Sequence, residues 1–232
     1  MRFIAPALIA LALAAPAAAQ TKETETVDRT VSIGPNGTLK LNNFSGDVRV
    51  TGSPGSEVVI HAVRRATRER LNNIKLDVKS SGSSVTIEAN HRDENWREKN
   101  DNVVETEFDI KVPFDTQLDL HSFSGKLQVI DVSGNIDAQT FSGEVELDVA
   151  RGGRVPELNV QTFSGDIRAK FPADASGRLE FNSFSGDIDS ELPFAMHSTR
   201  RSGRKDSSGA IGSGSGSMLK FKTFSGDLKI SK

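Results

Sequence analysis

Apolar and polar residues alternate in the same way in five segments of this chain. They are Leu118-Asp-Leu-His-Ser, Ile136-Asp-Ala-Gln-Thr, Leu158-Asn-Val-Gln-Thr, Leu179-Glu-Phe-Asn-Ser and Leu219-Lys-Phe-Lys-Thr. A period of two is the mark of a half-buried strand. Each segment runs directly into Phe-Ser-Gly, and alternation resumes beyond it in Leu127-Gln-Val, Val145-Glu-Leu, Ile167-Arg-Ala and Leu228-Lys-Ile. The unit is therefore strand, Phe-Ser-Gly turn, strand. Phe-Ser-Gly occurs six times, beginning at Phe44, Phe123, Phe141, Phe163, Phe184 and Phe224. An acid follows in five copies (Asp47, Glu144, Asp166, Asp187, Asp227) and Lys126 in the sixth.

Spacing selects the architecture. From Phe123 to Phe184 the rings lie 18, 22 and 21 residues apart, and Phe184 to Phe224 spans 40, or two units. A second turn, Val132-Ser-Gly-Asn135, falls between Phe123 and Phe141. Two short strands and two corners per unit of about 20 residues fit one coil of a stacked β-solenoid. An antiparallel sandwich has no reason to repeat one turn at one corner. The fold class predicted is all-β, a parallel β-solenoid (β-helix) with coils stacked in chain order.

The turn glycines Gly46, Gly125, Gly143, Gly165, Gly186 and Gly226 suit a positive φ angle. Ser and Asp beside them can satisfy backbone donors. Parity adds a further constraint. Apolar residues are even-numbered before the turn at Phe123 (Leu118, Leu120) and odd-numbered after it (Leu127, Val129), so one residue is absorbed in a bend. A bend before Phe turns the rings inward; a bend at Ser-Gly turns them outward. Soluble proteins avoid large exposed apolar patches. The expectation is accordingly an interior Phe ladder, with Phe163 enclosed by Phe141 and Phe184 and with Phe224 at an end.

The pattern loosens from Val27 to Pro113. Val27–Ile33 and Leu39–Asn43 read as a hairpin about Gly34-Pro-Asn-Gly37, with further strands at Val58–Val63, Ile74–Val78 and Val85–Ala89. Ala66–Asn73 reads as a short helix or an extended arm. Residues 20–113 form a β cap with the first strands, since a solenoid end left open invites aggregation. Residues 114–232 form the repeats, continuous with the cap as one domain. The charged run around Trp96 and the Ser/Gly-rich stretch Arg200–Ser217 read as solvated loops.

The N-terminus sets the compartment. Arg2, an apolar run from Phe3 to Ala15 and Ala17-Ala-Ala19 have the pattern of a signal peptide, residues 1–19, cleaved before Gln20. The run is shorter than the about 20 apolar residues that span a bilayer, and no second one follows, so no transmembrane anchor is expected in the mature chain. Location is expected to be periplasm, outer-membrane surface or medium. The chain has no cysteine, which removes disulfides, thiolate metal sites and lipid-modified Cys. Without Arg2 there are 28 basic against 31 acidic residues, the opposite of a nucleic-acid-binding balance.

Catalytic chemistry is weakly represented. The turn acids Glu144, Asp166 and Asp187 could line up on consecutive coils as paired carboxylates of a polysaccharide-active enzyme. Lys126 breaks the row, and an acid after Ser-Gly is ordinary turn chemistry. His61, His91, His121 and His197 are scattered without metal-ligand spacing. No catalytic residue, metal or cofactor is expected.

The Phe-Ser-Gly-Asp units, the strand Phe108-Asp-Ile-Lys-Val-Pro113 and the ending from Gly209-Ala-Ile-Gly212 through Leu219-Lys-Phe-Lys-Thr-Phe-Ser-Gly-Asp-Leu-Lys-Ile together resemble the bacterial "putative adhesin" domain of unknown function. The resemblance spans nearly the whole mature chain. It implies a β-solenoid in an envelope or surface setting and supplies no catalytic residues. The function expected is a non-enzymatic adhesin-like binding or scaffold module. Its partner would be an envelope component, a glycan or a surface protein. The alternative is a polysaccharide-active solenoid enzyme.

Overall fold

A computed structural model describes residues 21–92, 103–149, 155–201 and 204–232. The expected leader (1–19) lies outside them, as does the Trp96 run apart from its first two residues, His91 and Arg92, which end a strand. The strands are β1 (Glu23–Ser32), β2 (Thr38–Ser45), β3 (Val48–Ser53) and β4 (Glu57–Ala66), followed by helix α1 (Arg68–Asn73). Next come β5 (Ile74–Ser81), β6 (Ser84–Arg92) and β7 (Glu105–Pro113). The repeats follow as strand pairs: β8 (Gln117–Ser124) with β9 (Leu127–Ile130), β10 (Ile136–Ser142) with β11 (Val145–Asp148), and β12 (Leu158–Ser164) with β13 (Ile167–Lys170). The last elements are β14 (Gly177–Ser185), β15 (Ile188–Ser190), β16 (Phe194–Arg201), β17 (Arg204–Ile211), β18 (Ser217–Ser225) and β19 (Leu228–Ser231).

These strands make two sheets. One runs β1-β4-β7-β3-β9-β11-β13-β19-β15 and the other β16-β17-β14-β18-β12-β10-β8-β2-β6-β5. In each repeat the strand before Phe-Ser-Gly enters the second sheet and the strand after it the first. Pairing between repeats is parallel and in register, as in Ile136↔Leu118, Ile136↔Leu158 and Leu158↔Leu219. The core lies between the sheets and is filled by the alternating apolar residues, among them Leu120, Ala138, Val160, Phe221 and Phe181 from one side and Val129, Leu147, Ala169 and Ile230 from the other. The chain is all-β and solenoid-like, as its periodicity predicts.

Three local expectations need correction. Val27–Ile33 and Leu39–Asn43 do not form a hairpin, because β1 pairs with β4 in one sheet while β2 pairs with β6 and β8 in the other. Arg200–Ser217 is a loop only in part: Arg204–Ile211 forms β17, which pairs antiparallel with both β16 and β14, and residues 212–216 connect it to β18. In this added strand Ser207 and Ile211 are buried. Finally, the coils do not stack in chain order. The β16–β17 hairpin occupies the outer edge of β14, so β18 and β19 fall between the strands of two earlier repeats, β12/β13 on one side and β14/β15 on the other.

The N-terminal end closes differently. Strands β1, β4 and β5 pair antiparallel with their neighbours. Helix α1 begins at Thr67, whose hydroxyl accepts a hydrogen bond from the Arg70 N–H at 3.4 Å. It places Leu71 in a small cluster with Ala66, Ile74 and Val104.

The candidate functional site is an aromatic corner

Alternation decides which way the Phe rings face. In β8, Leu118, Leu120 and Ser122 are all buried, so strict period two places Phe123 outside. The equivalent residues Asn43, Thr140, Thr162, Ser183 and Thr223 are likewise buried. The residue absorbed by the bend belongs to Ser-Gly-acid, after the ring. All six rings are outside, with exposures from 42% at Phe44 to 51% at Phe184. The interior ladder is therefore overturned. Where the two sheets converge, the inward position accommodates Ser, Thr or Asn, and large rings sit inside away from that corner, as at Phe181 and Phe221 further back along their strands.

The rings form one continuous stack. Centroids lie 4.7 Å apart for Phe44–Phe123, 4.9 Å for Phe123–Phe141 and Phe141–Phe163, 4.8 Å for Phe163–Phe224 and 4.9 Å for Phe224–Phe184. Interplanar angles run from 1° to 11°. This is the inter-strand spacing of the underlying sheet. The order corrects the expected one: Phe163 lies between Phe141 and Phe224, and Phe184, not Phe224, ends the stack. Because each ring covers the face of the next, the stripe shows the solvent mainly ring edges.

The glycines make this corner narrow. A Cβ on Gly143 would stand 2.0 Å from the Gly125 carbonyl oxygen. The same contact would be 2.1 Å between Gly165 and Gly143, 2.0 Å between Gly226 and Gly165, and 1.9 Å between Gly186 and Gly226. At Gly46 and Gly125 the obstacles are the carbonyls of Thr106 and Gly46, each at 2.4 Å. Glycine is thus required at Gly143 and Gly186 by close approach alone, while Gly46, Gly125, Gly165 and Gly226 also have φ between 109° and 153°. Close approach was not part of the sequence expectation, which rested on φ.

Beyond the glycines stand the acids. The Asp47 carboxylate accepts the Lys126 backbone N–H at 2.8 Å, Asp166 accepts that of Asp227 at 3.0 Å, and Asp227 accepts that of Asp187 at 2.8 Å. Each carboxylate caps the corner of an adjacent repeat. Glu144 pairs with Arg168, and Asp187 with Lys205. On the other side of the stripe, two residues before each Phe, runs a polar row that includes His121, Gln139, Gln161 and Lys222. Amide bonds knit its middle, Gln139 to Asp137 at 3.0 Å, Asn159 to Asp137 at 2.9 Å and Gln161 to Asn159 at 3.3 Å. A shallow groove of about 330 Å³ between this row and the rings is lined by Gln139, Gln161, Lys222, Phe163 and Phe224.

Among the described residues, no group of three or more His, Cys, Asp or Glu is placed to hold a metal ion. His61 and His121 bond instead to Asp28 at 2.7 Å and Asp119 at 2.8 Å. No described helix is long and apolar enough to cross a membrane.

A family model, Toastrack DUF4097, matches residues 25–231. The chain belongs to the Toastrack DUF4097 family. This supports the resemblance to a domain of unknown function drawn from the repeats. A crystal structure of a putative cell adhesion protein from Clostridium sporogenes superposes on this Toastrack chain with a TM-score of 0.63 at 13% identity, covering 89% of this chain and 99% of that one. At that identity the likeness is one of fold. A putative adhesin from Bacteroides fragilis aligns over 89% of this chain and 97% of its own, at 9% identity and a TM-score of only 0.25. No curated protein matches the chain.

Proposed function

We propose that this Toastrack protein is a non-enzymatic binding or scaffold module of the exported cell envelope, and that the aromatic corner is its contact surface. The observation that carries the reading is the unbroken exposed stack of six Phe rings. An apolar surface of this extent is costly to leave in water and marks interaction sites on soluble proteins. The Clostridium sporogenes neighbour, a putative cell adhesion protein, agrees with a binding role. The turn residues from Phe to acid are the structural repeat of the module. Residues 1–19 are its cleaved leader, 20–113 its N-terminal cap and first strands, and 114–232 the repeats of one continuous domain.

The acidic row supports the non-enzymatic side of the reading. Asp47, Asp166 and Asp227 are engaged as acceptors for backbone N–H groups, a structural use that explains an acid at this turn without catalysis. The test is co-sedimentation of the protein with envelope fractions. Wild type should pellet with them, and the double variant Phe141→Ser/Phe163→Ser should stay in solution while its circular dichroism remains native. Equal pelleting of both proteins would remove the stripe from the function.

A further inference from the structure

We propose that the occupant of the aromatic stripe is the stripe of a second copy of this chain, the two stacks lying parallel about a two-fold axis that runs along them. This rests on the stripe being the contact surface, and three features of the corner select the occupant. The first is which part of each ring is free. Neighbouring rings are 4.7–4.9 Å apart and nearly parallel, so faces are hidden and edges are shown. A sugar ring recognised by aromatic residues lies on a ring face, which only the two ends of this stack could offer. An edge-lined ridge needs an apolar surface of the same shape instead, and a rigid row with a repeat near 4.8 Å is commensurate with another β-ladder of that repeat.

Area is the second feature. Six rings, each about half exposed, present on the order of 500–600 Å² of apolar surface if a Phe carries about 200 Å². With the polar rows on either side, this approaches the roughly 800 Å² per partner of a standard specific interface.

Charge is the third, and it sets the orientation. One flank of the stripe carries Asp47, Lys126, Glu144, Asp166, Asp227 and Asp187; the other carries amides together with His121 and Lys222. A two-fold axis perpendicular to the stack would bring acidic flank against acidic flank. An axis along the stack brings each acidic flank against the partner's amide and Lys flank, in register, so that Asp227 of one copy faces Lys222 of the other and Asp166 faces Gln161. The same acidic flank opposes docking on an anionic lipid surface.

The test is the oligomeric state of the protein by sedimentation, with a chemical readout of orientation. Wild type should show a concentration-dependent monomer–dimer equilibrium. Phe163→Glu, which places a charge at the centre of the contact, should weaken it by at least about 30-fold, as loss of an interface hot spot does. Because the chain has no cysteine, single cysteines report neighbours cleanly. An equimolar mixture of Gln161→Cys and Asp166→Cys proteins should form mixed disulfide dimers, and one of Glu144→Cys and Asp166→Cys should not. These exposed polar substitutions do not depend on how Phe163→Glu folds. A wild type that stays monomeric up to millimolar concentration, a dimer indifferent to Phe163→Glu, or cross-linking through the acidic flanks alone would overturn the proposal. Binding of the monomer to neutral lipid vesicles or to a glycan would do so too. A monomer that still pellets with envelope fractions through its stripe would sink only this inference. A dimer that never pellets would sink the envelope reading and leave the inference standing.

Discussion

Replacing Phe163 by Ala removes a ring that is half in water and half between two others, and that geometry sets the magnitude. Phe163 is 47% exposed, so folding hides about half of a side chain of about 200 Å², on the order of 100 Å². At about 25 cal/mol per Å² this corresponds to about 2.5 kcal/mol, an upper figure because the unfolded chain already covers part of its apolar surface. No cavity contribution is added, since water enters the gap left between Phe141 and Phe224. The comparison is Phe221, at 1% exposure in the core of the neighbouring strand β18. There truncation leaves an enclosed void, and Phe221→Ala should cost about 3–5 kcal/mol. Urea denaturation of both variants, at a protein concentration low enough to keep the chain monomeric, should show a smaller shift for Phe163→Ala than for Phe221→Ala. Equal shifts, or a larger one for Phe163→Ala, would refute the outward stack and restore an enclosed ladder.

Two further expectations follow from the corner and the cap. Gly143→Ala forces a methyl toward the Gly125 carbonyl at 2.0 Å and should cost about 1–3 kcal/mol or more as overpacking. Gly82→Ala, at φ 56° with open space around it, should cost only the about 1–2 kcal/mol of left-handed strain; the reverse ranking in thermal melts would contradict the close stacking of the corners. Near the N-terminal end, the Arg65 guanidinium hydrogen-bonds the Glu107 carboxylate and holds its pKa below the ordinary carboxylate value. Stability from this pair is therefore present above the unfolded Glu pKa and lost as pH falls through the lower folded one. Glu107→Gln should lower stability by a nearly constant amount from neutral to alkaline pH and converge on wild type as pH falls through the carboxylate range, giving a slightly shallower acid limb, and a loss that persists undiminished at low pH would exclude the pairing.

Much of the architecture is legible in the chain because it is written in two periods. Alternation by two marks β8 to β15, β18 and β19, and recurrence near twenty residues stacks them. The facing of the rings was legible as well. Leu118, Leu120, Ser122 count straight out to Phe123, but Ser and Thr at the inward position look like polar surface, and the general aversion to exposed Phe outweighs the count. The inward hydroxyls are buried by the narrowness of a corner held together by glycine–carbonyl contacts between coils, which no single segment reveals. The order of stacking is hidden for a different reason. Every repeat carries the same edge pattern, so β18 fits beside β12 as well as β14 does, and only the hairpin taken up by Arg204–Ile211 decides between them. The site follows from both: a continuous stripe exists because Phe224 fills the step between Phe163 and Phe184.

That interpolated last repeat bears on how the molecule can be made and how it can change. A solenoid whose coils stack in chain order can lengthen as the chain emerges, each new coil docking on a finished edge. Here the edge of β12 and β13 stays open until residues 217–231, which follow β14 to β17 in sequence, arrive to join it to β14 and β15. Synthesis would thus deliver two unjoined blocks, each with an unsatisfied parallel edge, and closure would wait for β18 and β19. Growth by duplication is constrained in the same way. Both edges of β18 and β19 are already paired, so a duplicate of that coil cannot dock beside it without parting it from a neighbour, and the stripe gains a ring there only by insertion between existing coils.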